Sequence, residues 1–367
     1  MNKTGFGYLR LPRINPSDET SVDYSILNAM VDRFLELGGT YFDTAYTYLN
    51  GASEEAIRKS LTERHPRNRF VLADKLPGYN VKSYEECMVY FEEQLKRCGV
   101  DYFDVFLLHW LNKNNYAIAE QHDEFRFLQE LKNSGKAKKI GFSYHDGPEL
   151  LDTILTAHPE VDIVQLQLNY LDWDRESLQA SRLYEVAVKH NKQIVVMEPV
   201  KGGSLASLPE AASSLLKNIH PEESCASWAI RFASGLEHVA VVLSGMNTME
   251  QMEDNMRDMA PLTGHEQEIL RQAAEIIRNA TAVPCTGCSY CTSHCPKQIP
   301  IPRYFSMYND YKREPGEMWK MKPVYHEIVG TFNPASSCIE CKACERHCPQ
   351  KLTITDYLKE VKNSFEA

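Results

Sequence analysis

No stretch of this chain approaches the run of apolar residues that a membrane span requires, and residues 1–13 hold no signal-peptide apolar core. A membrane role is therefore not expected, and the location expected is the cytoplasm. Positive charge is scarce: 40 Lys and Arg face 50 Asp and Glu, a net charge of −10. That balance argues against non-specific association with nucleic acid or with an anionic membrane. A third absence is the motif G-x-G-x-x-G, which an open dinucleotide-binding sheet would carry after its first strand. The 367 residues are enough for one large domain and a smaller one.

What the chain has instead is cysteine, concentrated in its last quarter. Eight of 11 cysteines fall into two copies of C-x2-C-x2-C-x3-C-P: Cys285, Cys288, Cys291, Cys295 and Pro296, then Cys338, Cys341, Cys344, Cys348 and Pro349. Three thiolates at this spacing can wrap one cubane of iron and sulfide, and the fourth, before proline, crosses to the other cluster when two are present. The expected ligand sets are Cys285, Cys288, Cys291 and Cys348 for a first [4Fe-4S] cluster, and Cys338, Cys341, Cys344 and Cys295 for a second. Structural zinc, the competing reading, favours two C-x2-C pairs separated by a longer stretch. Disulfides need an oxidising compartment, which nothing in the chain indicates. Cys87, Cys98 and Cys225 lie in helix-patterned segments and read as small buried hydrophobes.

The cysteine region is an internal duplication. Residues 285–301 repeat at 338–354, an offset of 53, keeping His-Cys-Pro at 294–296 and 347–349. The 42 residues between Cys295 and Cys338 hold Tyr304, Phe305, Tyr308, Tyr311, Trp319 and Tyr325, enough aromatic mass for a small core. A mostly helical, ferredoxin-like domain is expected over 284–367. A connecting helix is expected over 261–283, where Thr263 and Glu266 make a capping-box pair ahead of Ile269, Leu270, Ala273 and Ile277.

Residues 1–260 alternate apolar, β-rich runs with helix-patterned segments. The runs read as strands are 5–11, 40–45, 70–76, 103–110, 139–145, 163–170, 193–200 and 239–244. Between them lie helical spacings such as Met88, Phe91 and Leu95, or Leu183, Val186 and Ala187. Continuous apolar strands followed by helices imply a covered parallel sheet, and eight such units imply an α/β fold of the closed (β/α)8 TIM-barrel type. Such barrels keep their chemistry at the C-terminal strand ends. Asp43, Lys75 and His109 fall there on consecutive units, separated by 32 and 34 residues, with Tyr48 on the loop after Asp43.

At these residues the chain resembles the aldo/keto reductase superfamily, in the subgroup that carries a C-terminal ferredoxin-type domain. The resemblance rests on Asp43-x-Ala45-x-x-Tyr48 followed by Ser53-Glu54, on Val71 to Lys75, on Leu107-Leu108-His109-Trp110, and on Gly135-Lys136 with Ile140 to Ser143. It implies nicotinamide-dependent reduction of a small-molecule carbonyl. Tyr48 would be the general acid, acidified by Lys75, which Asp43 holds; His109 would orient the carbonyl oxygen. Tyr46 is the nearest rival to Tyr48.

By the same resemblance, Ser143 and Gln165 would meet the nicotinamide carboxamide, and Met197 replaces an aromatic that many relatives stack on the ring. Lys201 would meet the pyrophosphate. Gly245, Gln251, Asp254 and Asn255 would lie on the adenine side, where an ordinary helix capped at Thr248 is the competing reading. No Arg or Lys lies in 245–255, so NADP and NAD both stay open. Two departures stand out: Leu49 follows the tyrosine where the family usually has glycine, and Ser143-Tyr144 replaces its Ser-Asn, leaving Tyr144 or His145 to face substrate. The segment 111–121, with Asn112, Lys113, Asn114, Asn115 and Tyr116, is expected to be a polar loop over the pocket, suited to a polar, hydroxylated substrate.

Three functions fit. In the first, the barrel is a nicotinamide-dependent carbonyl reductase whose clusters pass or sense electrons or brace the fold, with ferredoxin or another redox partner. In the second, the barrel holds a flavin and the chain is a ferredoxin-linked reductase. In the third, the barrel is idle and the chain is an electron carrier or redox sensor.

Overall fold

A computed structural model of the chain describes residues 3–366 except 17, 259, 314, 315 and 317. Met1 and Ala367, the outer bounds of the expected domains, lie outside the described residues. Eight parallel strands close in sequence order: β1 (Thr4–Gly7), β2 (Tyr41–Asp43), β3 (Val71–Leu76), β4 (Phe103–Leu111), β5 (Ala137–Tyr144), β6 (Ile163–Gln167), β7 (Gln193–Met197) and β8 (Val239–Gly245). β8 pairs back onto β1, with Gly7 opposite Gly245.

The strands read as continuous apolar runs because both of their faces are covered. Tyr41, Ala73, Val105, Leu107, Ile163, Val195 and Leu243 pack together inside the barrel. Their neighbours Phe42, Leu72, Phe106, Val164, Val196 and Val242 join the larger core beneath the helices. Strand side chains alternate faces, so every second residue returns to the interior. At Gly141 the barrel closes so tightly that a Cβ would lie 1.9 Å from the Ile163 carbonyl oxygen, which only glycine tolerates.

Several strands stop short of their sequence-based ends. β1 ends at Gly7 and not residue 11, because Tyr8 N donates to Asp43 O at 2.9 Å and the chain turns over the barrel rim. β6 ends at Gln167, where a turn begins: Asp172 N donates to Asn169 Oδ1 and Asn169 Nδ2 to Asp172 Oδ2, each at 2.9 Å. The segment expected as a polar loop is largely the helix Lys113–Gln121. Asn112 caps it by accepting from Asn114 N and Asn115 N, and Asn115 Nδ2 donates to Trp110 O at 2.7 Å. Two of the asparagines assigned to substrate thus serve the backbone.

Two compact units divide the chain. The first comprises Met1–Asp174, Gln179–Val200 and Ala226–Thr263; the second comprises Arg175–Leu178, Lys201–Cys225 and Gly264–Ala367. Residues 201–225 therefore group with the cysteines, although they lie on the barrel side of the sequence boundary at 260. Within the second unit the helix Gly264–Ala280 packs on Glu210–Ile219, and His220 Nε2 lies 2.8 Å from Glu266 Oε1.

The duplication is visible in the backbone. The short helices Tyr290–Ser293 and Ala343–Arg346 start 53 residues apart, as do Ile301–Arg313 and Ile354–Phe365. Left-handed residues recur in register: Gly287 with Glu340, Ser289 with Lys342, and Gln298 with Lys351. Paired His294 and His347 stack with ring centroids 3.5 Å apart. Tyr304, Phe305, Tyr308 and Tyr325 are in the core as expected, but Trp319 is 69% exposed and contributes nothing to it.

Candidate active site and cluster cavities

The period-two alternation of the strands builds the barrel site. Asp43 is in phase with Tyr41, Lys75 with Ala73, His109 with Leu107, Gln165 with Ile163, and Met197 with Val195. Each therefore tops the interior layer at a C-terminal strand end. Lys75 is fully buried; its Nζ donates to Asp43 Oδ1 and to Thr44 O, both at 2.6 Å. The same ammonium lies 4.8 Å from the centroid of the Tyr48 ring. The His109 ring meets Tyr48 edge-on at 5.7 Å. Tyr46, the rival, points elsewhere: its hydroxyl donates to Glu93 Oε2 at 3.2 Å and its ring faces Arg97.

Protonation in this cluster is governed by water exclusion. Burial, then the negative charge of Asp43, push the Tyr48 phenol well above its ordinary 10.0. The lowered pKa expected from Lys75 is opposed here, because burial and the charge of Asp43 both push the phenol upward. Burial and Lys75 hold His109 well below its ordinary 6.5, so the imidazole is neutral. Burial raises the Asp43 carboxyl and the adjoining Lys75 opposes that rise. The strand-end loop is strained: Leu49 and Asn50 both take left-handed φ near 52° and 53°, the conformation that glycine would adopt at no cost. The Leu49 side chain is buried in the core.

Sequence reasoning missed Tyr79 and Arg10 on this rim, though it named His145 and Trp110. The Tyr79 ring lies 6.0 Å from both His109 and Trp110, and His145 lies 6.1 Å from Trp110. Tyr144, the other substrate-facing candidate, is buried and donates to Gly147 O at 2.6 Å, which leaves His145 on the rim. Arg10 packs over Gly245 and pairs with Glu198 at 3.6 Å. Its signal was its position just past β1.

The other cofactor-side residues are dispersed. Ser143 and Gln165 face each other across β5 and β6; Ser143 Oγ accepts from Trp110 N at 2.7 Å. Gln165 Oε1 is buried without a hydrogen-bond partner among the described residues, an acceptor suited to an amide N–H such as a carboxamide's. Gln251 Oε1 accepts from Asn247 N, and Thr248 caps the helix Met249–Asn255. Asn255 is buried and donates to Ser244 Oγ at 2.8 Å, and Asp254 lies 3.7 Å from Arg257. Lys201, expected at the pyrophosphate, has a partner within the second unit. A left-handed turn at Gly202 draws it inward, where its Nζ donates to Gln350 Oε1 at 3.0 Å.

In the second unit, two cavities collect the cysteines. Cys285, Cys288, Cys291 and Cys348 line the first. Cys295, Cys338, Cys341 and Cys344 line the second. Each takes three thiols from one copy and the fourth from the other. Tetrahedral zinc would bring its sulfurs to about 3.8 Å from one another. Among the described residues, no three of these cysteine sulfurs lie within 4.8 Å of one another. Four thiols in each cavity, set among apolar residues such as Ile301, Phe305 and Leu358, fit an iron–sulfur cubane.

The fold is a closed (β/α)8 barrel with Asp43, Tyr48, Lys75 and His109 grouped at one rim. The description "Aldo/keto reductase family" matches residues 5–275, and "4Fe-4S dicluster domain" matches residues 284–353. The chain belongs to the aldo/keto reductase family and carries a C-terminal 4Fe-4S dicluster domain. An aldo-keto reductase of Mycolicibacterium smegmatis is 29% identical over 48% of this chain and 59% of its own length. The uncharacterized oxidoreductase YqkF of Bacillus subtilis is 24% identical over 66% of this chain and 84% of its own. An aldo/keto reductase from Klebsiella pneumoniae, solved in complex with NADP and acetate, superposes with a TM-score of 0.59 at 19% identity, covering 74% of this chain and 90% of that one. At that identity the likeness concerns the fold. The described helices include none long and apolar enough to cross a membrane.

Proposed function

We propose that the barrel reduces an aldehyde or ketone with a nicotinamide cofactor, Tyr48 acting as general acid. The observation that carries this reading is the contiguous set in which Lys75 touches Asp43 at 2.6 Å, lies over the Tyr48 ring, and shares the rim with His109. A reduced nicotinamide, when bound, supplies hydride to the carbonyl carbon. The chain supplies the rest. Neutral His109 orients the carbonyl oxygen by hydrogen bonding, and Tyr48 Oη gives its proton to that oxygen as negative charge develops. Lys75, held by Asp43, stabilises the phenolate left behind.

Ser143 and Gln165 would hold the carboxamide, and Met197 would pack against the ring. Gly245, Gln251, Asp254 and Asn255 would border the adenine side. The Klebsiella protein was solved in complex with NADP, and the position of Arg10 over Gly245 supports a contact from it to a cofactor phosphate, beside the Lys201 contact expected from the sequence. In the second unit, Cys285, Cys288, Cys291 and Cys348 would hold one [4Fe-4S] cluster, and Cys338, Cys341, Cys344 and Cys295 the other. Bound there, the clusters supply one-electron exchange.

The test is an anaerobic carbonyl panel with NADPH and with NADH. Tyr48→Phe should lower kcat by roughly 100-fold or more while cofactor binding persists. Unchanged reduction in that variant would remove Tyr48 from the chemistry, and an extracted flavin would displace the nicotinamide reading.

A further inference from the structure

The duplicated module allows its two cluster sites to be compared position by position. Thr286 corresponds to Ile339 and Ser289 to Lys342, each pair 53 residues apart. Because the fourth cysteine crosses, Gln350 lines the first cavity while its counterpart Lys297 lines the second. At the first cavity the three positions are neutral, and Thr286 and Gln350 are buried. The turn Lys201–Gly203 of the same unit lies on them. Lys201 Nζ donates to Gln350 Oε1 at 3.0 Å, and a Cβ on Gly202 would come within 2.1 Å of Thr286 O.

The second cavity has no such cover among the described residues. Ile339 is 57% exposed, Lys297 and Lys342 are exposed, and Cys341 is exposed where its counterpart Cys288 is half-buried. Nearby Glu340 is paired with Lys359 at 2.8 Å, so Lys297 and Lys342 have no carboxylate partner among the described residues. On a chain of net charge −10, two unpaired lysines around an exposed cysteine and an exposed isoleucine make a local basic rim with an apolar centre. Such a rim steers acidic partners and suits the small, transient interfaces of redox encounters.

We propose that this face of the second cluster site is the docking port for a small, acidic one-electron carrier protein, seated on Lys297, Lys342 and Ile339 over Cys341. The proposal rests on the cluster assignment above. The carrier loses one electron and the cluster at this site gains it; no bond is made or broken and no proton moves.

The experiment uses the full-length, cluster-loaded protein under anaerobic conditions and a small acidic bacterial ferredoxin, reduced beforehand, as the probe. Stopped-flow oxidation of the ferredoxin is followed as a function of ionic strength. The variant carrying both Lys297→Glu and Lys342→Glu should lower the second-order rate roughly tenfold or more and flatten its salt dependence. Lys217→Glu, exposed elsewhere in the unit, should leave the rate near wild type. Electron paramagnetic resonance after dithionite reduction should show the same two clusters in every variant. An unchanged ferredoxin rate in the doubly reversed protein with both clusters intact overturns the docking proposal alone, as would an equal loss from Lys217→Glu. Wild-type protein without iron and sulfide overturns the cluster assignment and the proposal with it.

Discussion

Burial decides the protonation states at the barrel rim. A phenol pushed well above 10.0 stays protonated, and an imidazole held well below 6.5 stays neutral, so the site rests with acid loaded and hydrogen-bonding group uncharged. The acid form of Tyr48 is lost only as pH rises through its raised pKa, and neutral His109 only as pH falls through its lowered one. The pH profile of kcat/KM in the free enzyme should therefore be flat at least between 6.5 and 10.0, the ordinary values of the two groups. An acid limb near 6.5, with substrate and cofactor titrations accounted for, would show His109 to be solvated and would undo this assignment. Leu49 carries a related constraint: its backbone takes the conformation that suits glycine, yet its side chain fills core space, so the two demands are met at some strain.

At the scale of elements, the strands and their rim were legible because a strand buried on both faces must be apolar throughout, and alternation then fixes which side chain tops the interior. Asp43, Lys75 and His109 follow from that rule and from unit spacing alone. Where strands end was not legible, because turns closed by single side chains, such as Asn169 with Asp172, leave no periodic trace. The helix Lys113–Gln121 was hidden for the opposite reason: its polar composition resembles a loop, and only the Asn112 cap reveals it. Lys201 could not be placed, since its partner Gln350 is 149 residues away. A further tie joins two elements behind the site. Arg97, on the helix Tyr84–Cys98, reaches Glu54 of Ser53–Ile57 at 3.0 Å, and Glu54 is fully buried. Burial raises the carboxyls of both Asp74 and Glu54, and Arg97 is the cation that opposes the rise at Glu54. Arg97→Met should destabilise the barrel by about 3 to 5 kcal/mol, read as a shift in its urea unfolding midpoint. A shift worth under about 1 kcal/mol would mean that Glu54 is itself neutral.

At the scale of the molecule, the second unit cannot be cut into two half-modules, because each cavity borrows its fourth cysteine from the other copy. The duplication alone does not dictate this; two self-contained four-cysteine sites would carry the same spacing. The alternatives predict different pairings of mutant phenotypes. With crossing ligands, Cys348→Ala should perturb the same cluster as Cys291→Ala, and Cys295→Ala the same cluster as Cys344→Ala. The surviving cluster's electron paramagnetic resonance signal should then match within each pair and differ between them, while iron content falls toward that of one cluster. Matching Cys348→Ala with Cys344→Ala would instead make each copy its own site. The pseudo-twofold arrangement, in which His294 stacks on His347 beside the two crossing cysteines, would then need another origin. The crossing also explains how the two sites differ within one repeated sequence: the tail of each copy decorates the other's cluster, so Lys297 and Gln350 change the second and first environments respectively without altering either ligand spacing.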